Sequence, residues 1–226
     1  MRRIAAAIPR GEAVLPFLLS ALLLMLLVAW PLTDLGILEP TLFGEMMAVI
    51  VLTGLRALGD GSRLVRPAFI LGFLFFVLQM ALTAAPSPAL LLAADATALA
   101  FLLLLSLVLL RGVLRPGRVD RLRIIGAIVI YLLLAVLFAV SFDLAESLAP
   151  GAFAMGSVPA DGTPSGGRFL YFSVITLTSV GFGDMIPIHP VARALVMAEA
   201  LTGQLFTTIL LARLVSLEIE HRRPPG

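Results

Sequence analysis

Apolar residues run through the chain in long, nearly uncharged blocks separated by short polar or Pro/Gly-rich joints. Neither the strict alternation of a half-buried strand nor the one-sided stripe of a soluble helix is present. Six blocks approach the roughly 20 residues needed to cross a hydrocarbon core as a helix. The first is "AVLPFLLSALLLMLLVAWPL", residues 13–32. The others are 37–55, carrying Glu45; 67–84; 90–110, carrying Asp95; 124–144; and 191–215, carrying Arg193 and Glu199. Trp30 and Pro31 suit a helix end at the membrane interface, where tryptophan is enriched. Arg2 and Arg3 precede the first block as in a signal peptide. The block exceeds a usual signal core, and no small-residue cleavage site follows it, so it is expected to stay as a helix.

Composition fits this pattern. Hydrophobic residues make up 60% of the 226 positions and charged residues 13%, about half the charge of a soluble domain. With no cysteine and only two histidines, His189 and His221, the chain has no disulfide framework or thiol nucleophile and little material for a metal site. No nucleophile–base pair is apparent, so an enzyme is not expected. No nucleic-acid module or internal repeat is visible either.

The placement of charge orients the blocks. All sixteen basic residues are arginines, and all but Arg168 and Arg193 lie before the first block, in alternate joints, or at the C-terminal end. The joints "TDLGILEP" and "TAAPSPA" have none. The positive-inside rule makes the arginine-rich side cytoplasmic, with both termini there. The expected setting is an integral, multi-pass protein of a bacterial inner membrane. "LAPGAFAMGSVPADGTPSGG", 148–167, reads as an external Pro/Gly/Ser-rich loop. No soluble regulatory domain is expected on this chain.

Between that loop and the last block lies "RFLYFSVITLTSVGFGDMIPIHP". Residues 168–178 are apolar but too few to span, and Pro187 and Pro190 prevent a helix from running on past the glycines. The pattern predicts a short re-entrant helix followed by extended backbone returning outward. Non-helical backbone at membrane depth is tolerated only when buried in protein or lining a water-filled cavity. Gly181 and Gly183 supply conformations that other residues adopt at a cost, and these allow successive carbonyls to turn toward one side.

"TLTSVGFGD", 176–184, resembles the selectivity-filter signature of potassium channels, T-x-T-T-V-G-Y-G-D. It agrees at Thr176, Thr178, Val180, Gly181, Gly183 and Asp184, with Ser179 for threonine and Phe182 for tyrosine. The flanks resemble the family as well. An outer helix precedes, and "EALTGQLFTTILLARLV" is similar to inner helices of prokaryotic members. The likeness covers roughly residues 120–217.

The resemblance implies an all-α membrane protein with six transmembrane helices per subunit, a re-entrant pore helix and a filter loop, assembled as a homotetramer. Residues 1–112 would form a peripheral four-helix bundle and 113–123 a basic cytoplasmic linker. A pore domain would follow at 124–217, with pore helix 168–178, filter 179–183 and inner helix 191–215, ending in a short tail at 218–226. Potassium ions, the permeant ligand, would be held by the carbonyls of Ser179, Val180, Gly181 and Phe182 and by the Ser179 hydroxyl, with Gly183 completing the filter. No cofactor is implied. Val180 and Phe182 would brace the strand against the pore helix, whose negative dipole end would favour cations. Thr178, Ile175 and Asp184 would support the filter or shape its outer mouth. Gly203 would be a gating hinge, and Thr207, Thr208 and Leu211 would line the cavity and inner pore. The implied function is passive, potassium-selective conduction. The alternatives are a poorly selective cation channel or a non-conducting membrane scaffold or accessory subunit.

Two departures from the family stand out. Many relatives place a glutamate where Ile175 stands, paired with the aspartate after the filter, and Phe182 lacks the tyrosine hydroxyl. The filter is therefore expected to be held more by packing than by hydrogen bonds. Elsewhere, a voltage sensor needs arginines repeated inside a spanning helix, and the fourth block has none, which predicts weak voltage dependence. Arg115, Arg118 and Arg121 read as a basic loop near anionic lipid. Glu45 and Asp95 lie one to two turns from the outer ends of their helices, with Gln79 at comparable depth. They are either an intramembrane carboxylate sensor or partners within the bundle. Glu199 is placed to support the filter or to pair with Arg193 or Arg168.

Overall fold

The computed structural model describes residues 14–29, 65–114, 121–155 and 166–222, with isolated positions between 31 and 53. Helix α1, Val14–Leu24, continues into a π-helical turn over Met25–Ala29. Next come α2, Val65–Ala84, and α3, Pro88–Val113. Three residues join them, and Ser87 caps α3 by accepting the Leu90 N–H, with Pro88 in the first turn where its missing donor costs nothing. Helix α4, Arg121–Leu148, takes in the last three residues of the expected linker. Strand β1, Phe153–Met155, precedes α5, Gly166–Leu177; strand β2, Met185–Pro187, precedes α6, Pro190–Arg222.

The protein is mostly helical. Among the described residues, three helices are long and apolar enough to cross a membrane: Arg66–Ala84, Pro88–Val113 and Arg121–Leu148. The segment Val14–Ala29 is apolar but shorter. The expected second span lies largely outside the described residues, and Glu45 with it. The last helix runs without interruption for 33 residues, well past the expected end at 215.

Helix α4 is the organising element, packing against α1, α3, α5 and α6. Its buried positions, among them Ile130, Leu133, Val136 and Phe142, fall on more than one face, as expected of a helix enclosed by neighbours. At its C-terminal end, Phe142, Phe153, Phe169 and Phe172 form an aromatic cluster with ring centroids 5.0 to 6.4 Å apart. Edge-to-face pairs of this kind add to the stabilisation from burial alone. The cluster fastens β1 onto α4 and α5. Strand β1 pairs antiparallel with β2, Ala154 opposite Ile186. The residues just after the "VGFGD" run are thereby tied to the end of α4.

Candidate functional site

The stretch 178–184 is non-helical backbone held at both ends. At its start, α5 closes in a Schellman arrangement. The Val180 N–H reaches the Ile175 carbonyl at 2.8 Å, and the Ser179 N–H reaches the Thr176 carbonyl at 2.9 Å. This motif needs a left-handed residue at the position of Ser179, usually glycine, and Ser179 has φ +60°. Gly181 and Gly183 follow at +54° and +77°. Among the described residues, Ser179 is the one non-glycine with positive φ, so the hand alternates along 179–183 with Val180 and Phe182 between. No hydrogen bond among the described residues is accepted by the backbone carbonyls of 178–183. At its finish, Asp184 accepts the Met185 N–H at 3.1 Å and the chain enters β2.

Val180 and Phe182 do not pack within one chain as expected; they are 54% and 69% exposed. Ile175 is buried, and its carbonyl also takes the Gly181 N–H at 3.1 Å. The Thr178 hydroxyl turns back to the Val174 carbonyl at 2.7 Å.

Hydrogen-bonded support is richer than the sequence reading allowed, because it comes from other positions. The chain's two tyrosines both serve this region. The Tyr171 side chain, one turn before Ile175 on α5, is hydrogen-bonded to Asp184. The Tyr131 hydroxyl of α4 donates to the Leu177 carbonyl at 3.1 Å, and its ring lies 5.8 Å from that of Phe206. Replacing Tyr171 with phenylalanine removes one side-chain bond and little volume. The expected outcome is faster backbone amide exchange across 181–185 with an unchanged melting temperature, read by exchange mass spectrometry.

Glu199 is fully buried, and its partner is Ser173 of α5 rather than an arginine. The Ser173 hydroxyl is shared between that carboxyl and the Ala135 carbonyl of α4, at 2.7 Å from the latter. One serine thus links α4, α5 and α6 behind the 178–184 stretch. Arg193 instead donates from Nε to the Pro187 carbonyl at 3.2 Å, and Arg168 lies over the Phe169 ring at 5.0 Å.

Gly203 sits in the middle of a continuous helix. A Cβ added there would stand 2.1 Å from the Leu177 carbonyl oxygen, so glycine is required by the close approach of α6 to the end of α5. The next residue, Gln204, donates from Nε2 to the Ser179 hydroxyl at 2.7 Å. Thr207 bonds the Gly203 carbonyl at 3.0 Å and also meets Tyr131. Thr208 is exposed on the same helix. Leu211 lies on it too, with its side chain outside the described residues.

The expected pairing of Glu45 with Asp95 falls outside the described residues on the Glu45 side. Asp95 of α3 lies on the side of Asp143 of α4, and its buried Oδ2 has no hydrogen-bond partner among the described residues. Tyr171, Ser173, Tyr131 and Gln204 were not singled out from sequence. Their one signal was polarity inside otherwise apolar runs, which does not specify a partner.

Residues 126–220 match the ion channel family. A relative in Paramagnetospirillum magnetotacticum, the inward rectifier potassium channel Kirbac3.1, is 35% identical over 80 residues. That match covers 34% of this chain and 23% of the relative. No solved structure matches the chain. Both matches are to ion channels, and the chain spans less than a quarter of the length of the relative it matches.

Proposed function

We propose that the chain is a passive, potassium-selective channel subunit and that four copies place their 179–183 stretches around one axis. The observation that carries this reading is the alternation of backbone hand at Ser179, Gly181 and Gly183, beside carbonyls that accept no hydrogen bond among the described residues. Alternating hands turn successive carbonyls to one side of the strand. Unbonded carbonyls in a membrane cost several kcal/mol each unless something replaces the lost water. A ring of carbonyls around a dehydrated cation is the arrangement that selectivity filters use. One chain supplies one arc of such a ring. The exposed Val180 and Phe182 side chains give a second copy an apolar surface to pack on.

On this reading, potassium ions are coordinated at Ser179, Val180, Gly181 and Phe182, Gly183 completes the filter, and Asp184 shapes the outer mouth. Thr207, Thr208 and Leu211 line the path below. The likeness to a potassium channel over 80 residues supports potassium as the ion. Six spans per subunit, cytoplasmic termini in a bacterial inner membrane, and anionic lipid at the cytoplasmic arginines complete the proposal. The arginine distribution along the sequence supports them.

The test is ion flux in proteoliposomes of the full chain. Potassium efflux that barium blocks, with sodium flux far lower, is expected. Comparable sodium and potassium fluxes would favour a poorly selective cation channel. No flux above that of Gly181→Asp would favour a scaffold and overturn the reading.

A further inference from the structure

Gln204 follows Gly203 directly, so the contact that seats α6 on the end of α5 also sets where the Gln204 side chain lies. Resting on the channel reading above, we infer that Gln204 is a specificity-determining residue of the innermost cation site. It holds the Ser179 hydroxyl in place as a cation ligand.

Ser179 is under two demands. Its backbone adopts the left-handed conformation that the end of α5 requires, and its side chain is free to choose among staggered rotamers. Serine and threonine hydroxyls near helix ends readily turn back to the carbonyls of the preceding turn. Thr178, the neighbouring residue, does this by bonding the Val174 carbonyl at 2.7 Å. Ser179 does not; its hydroxyl oxygen instead accepts the Gln204 amide at 2.7 Å. A hydroxyl has two lone pairs and one proton. With one lone pair committed to the amide and the rotamer fixed, the other lone pair remains for a cation. Without the amide, the hydroxyl is free to follow Thr178 and fold back onto α5, and the site loses that oxygen. An amide does this without adding charge, so four copies pin four hydroxyls and put no net charge at the inner mouth.

The experiment uses internal barium, a divalent ion close to potassium in size that stalls in oxygen-lined sites, on the full chain in planar bilayers. Gln204→Leu keeps the volume and removes the donor; barium block from the inner side should weaken about fivefold. Ser179→Gly removes the hydroxyl while suiting a positive φ, so it folds where alanine is strained. In that background Gln204→Leu should add no further weakening, because the two side chains act as one unit. Independent, multiplying effects of Gln204→Leu and Ser179→Gly would overturn the inference. So would an unchanged barium block in a conducting Gln204→Leu channel. A wild-type chain that passes no potassium would instead overturn the channel reading itself, and this inference with it.

Discussion

Gly203→Ala is expected to cost the protein its folded assembly. The added methyl would stand 2.1 Å from the Leu177 carbonyl oxygen, 3.0 Å from its carbonyl carbon and 3.2 Å from its Cα. These are backbone atoms at the end of a helix, not the tip of a side chain that can swing away. The overlap is relieved only by moving α6 from α5. That shift also pulls on the bond from Gln204 to Ser179 and on the site where Tyr131 meets Leu177. Overpacking of this kind typically costs about 1–3 kcal/mol, and more where backbone must move; here about 3 kcal/mol or more per subunit is expected. Thermal unfolding and gel filtration in detergent would report it as a large drop in melting temperature and loss of the native peak. Gly112 on α3 is an internal control, because a Cβ there meets nothing within 4 Å. Gly112→Ala should be neutral or slightly stabilising, since alanine is the better helix former. A Gly203→Ala protein that melts like the wild type would contradict the contact.

Gly181→Ala should separate folding from conduction. A Cβ at 181 meets nothing within 4 Å in one chain, so sterics with neighbouring side chains do not oppose it. What opposes it is backbone: φ is +54°, and the left-handed conformation costs an L-residue about 1–2 kcal/mol. In the fourfold ring proposed above, that cost is borne four times at one level. The strain is relieved most easily by returning residue 181 to negative φ, which turns neighbouring carbonyls off the axis. The expected outcome is an assembled protein whose potassium flux falls at least about tenfold, a barrier rise of about 1.4 kcal/mol. Gly151, with φ +82° and open space around it, offers the same strain away from the path. Gly151→Ala should cost comparable stability and leave flux intact. Loss of flux in both, or in neither, would contradict the assignment of the 181 carbonyls.

Local pattern carried much of the fold. Blocks 67–84, 90–110 and 124–144 became α2, α3 and α4 with ends within a few residues, because length and apolarity are what a spanning helix requires. The short helix before the glycines was legible from its flanking prolines and its length. Strands β1 and β2 were not, since three residues each carry no period and their pairing joins residues as distant in sequence as Phe153 and Pro187. Within the site, Gly181 and Gly183 were readable because their conformation excludes most side chains. Ser179 adopts the same hand without advertising it; the cap at the end of α5 imposes it. Ile175 read as a lost support because the sequence offered one familiar partner for Asp184. Tyr171 reaches the same aspartate from one helical turn away, a substitution visible only once α5 is built. Gly203 read as a hinge from its place in the run; the close approach to Leu177 that glycine alone permits emerged only with the structure. Ser173, Glu199 and Gln204 are each a single polar residue in an apolar run, and their partners lie 25 or more residues away.

The most direct test of the central claim is the reversal potential of the purified full chain in a planar bilayer, with potassium chloride on one side and sodium chloride on the other. The account predicts a current that reverses far toward the potassium equilibrium potential and disappears in Gly181→Asp. A current reversing near zero, or one that persists in Gly181→Asp, would contradict it.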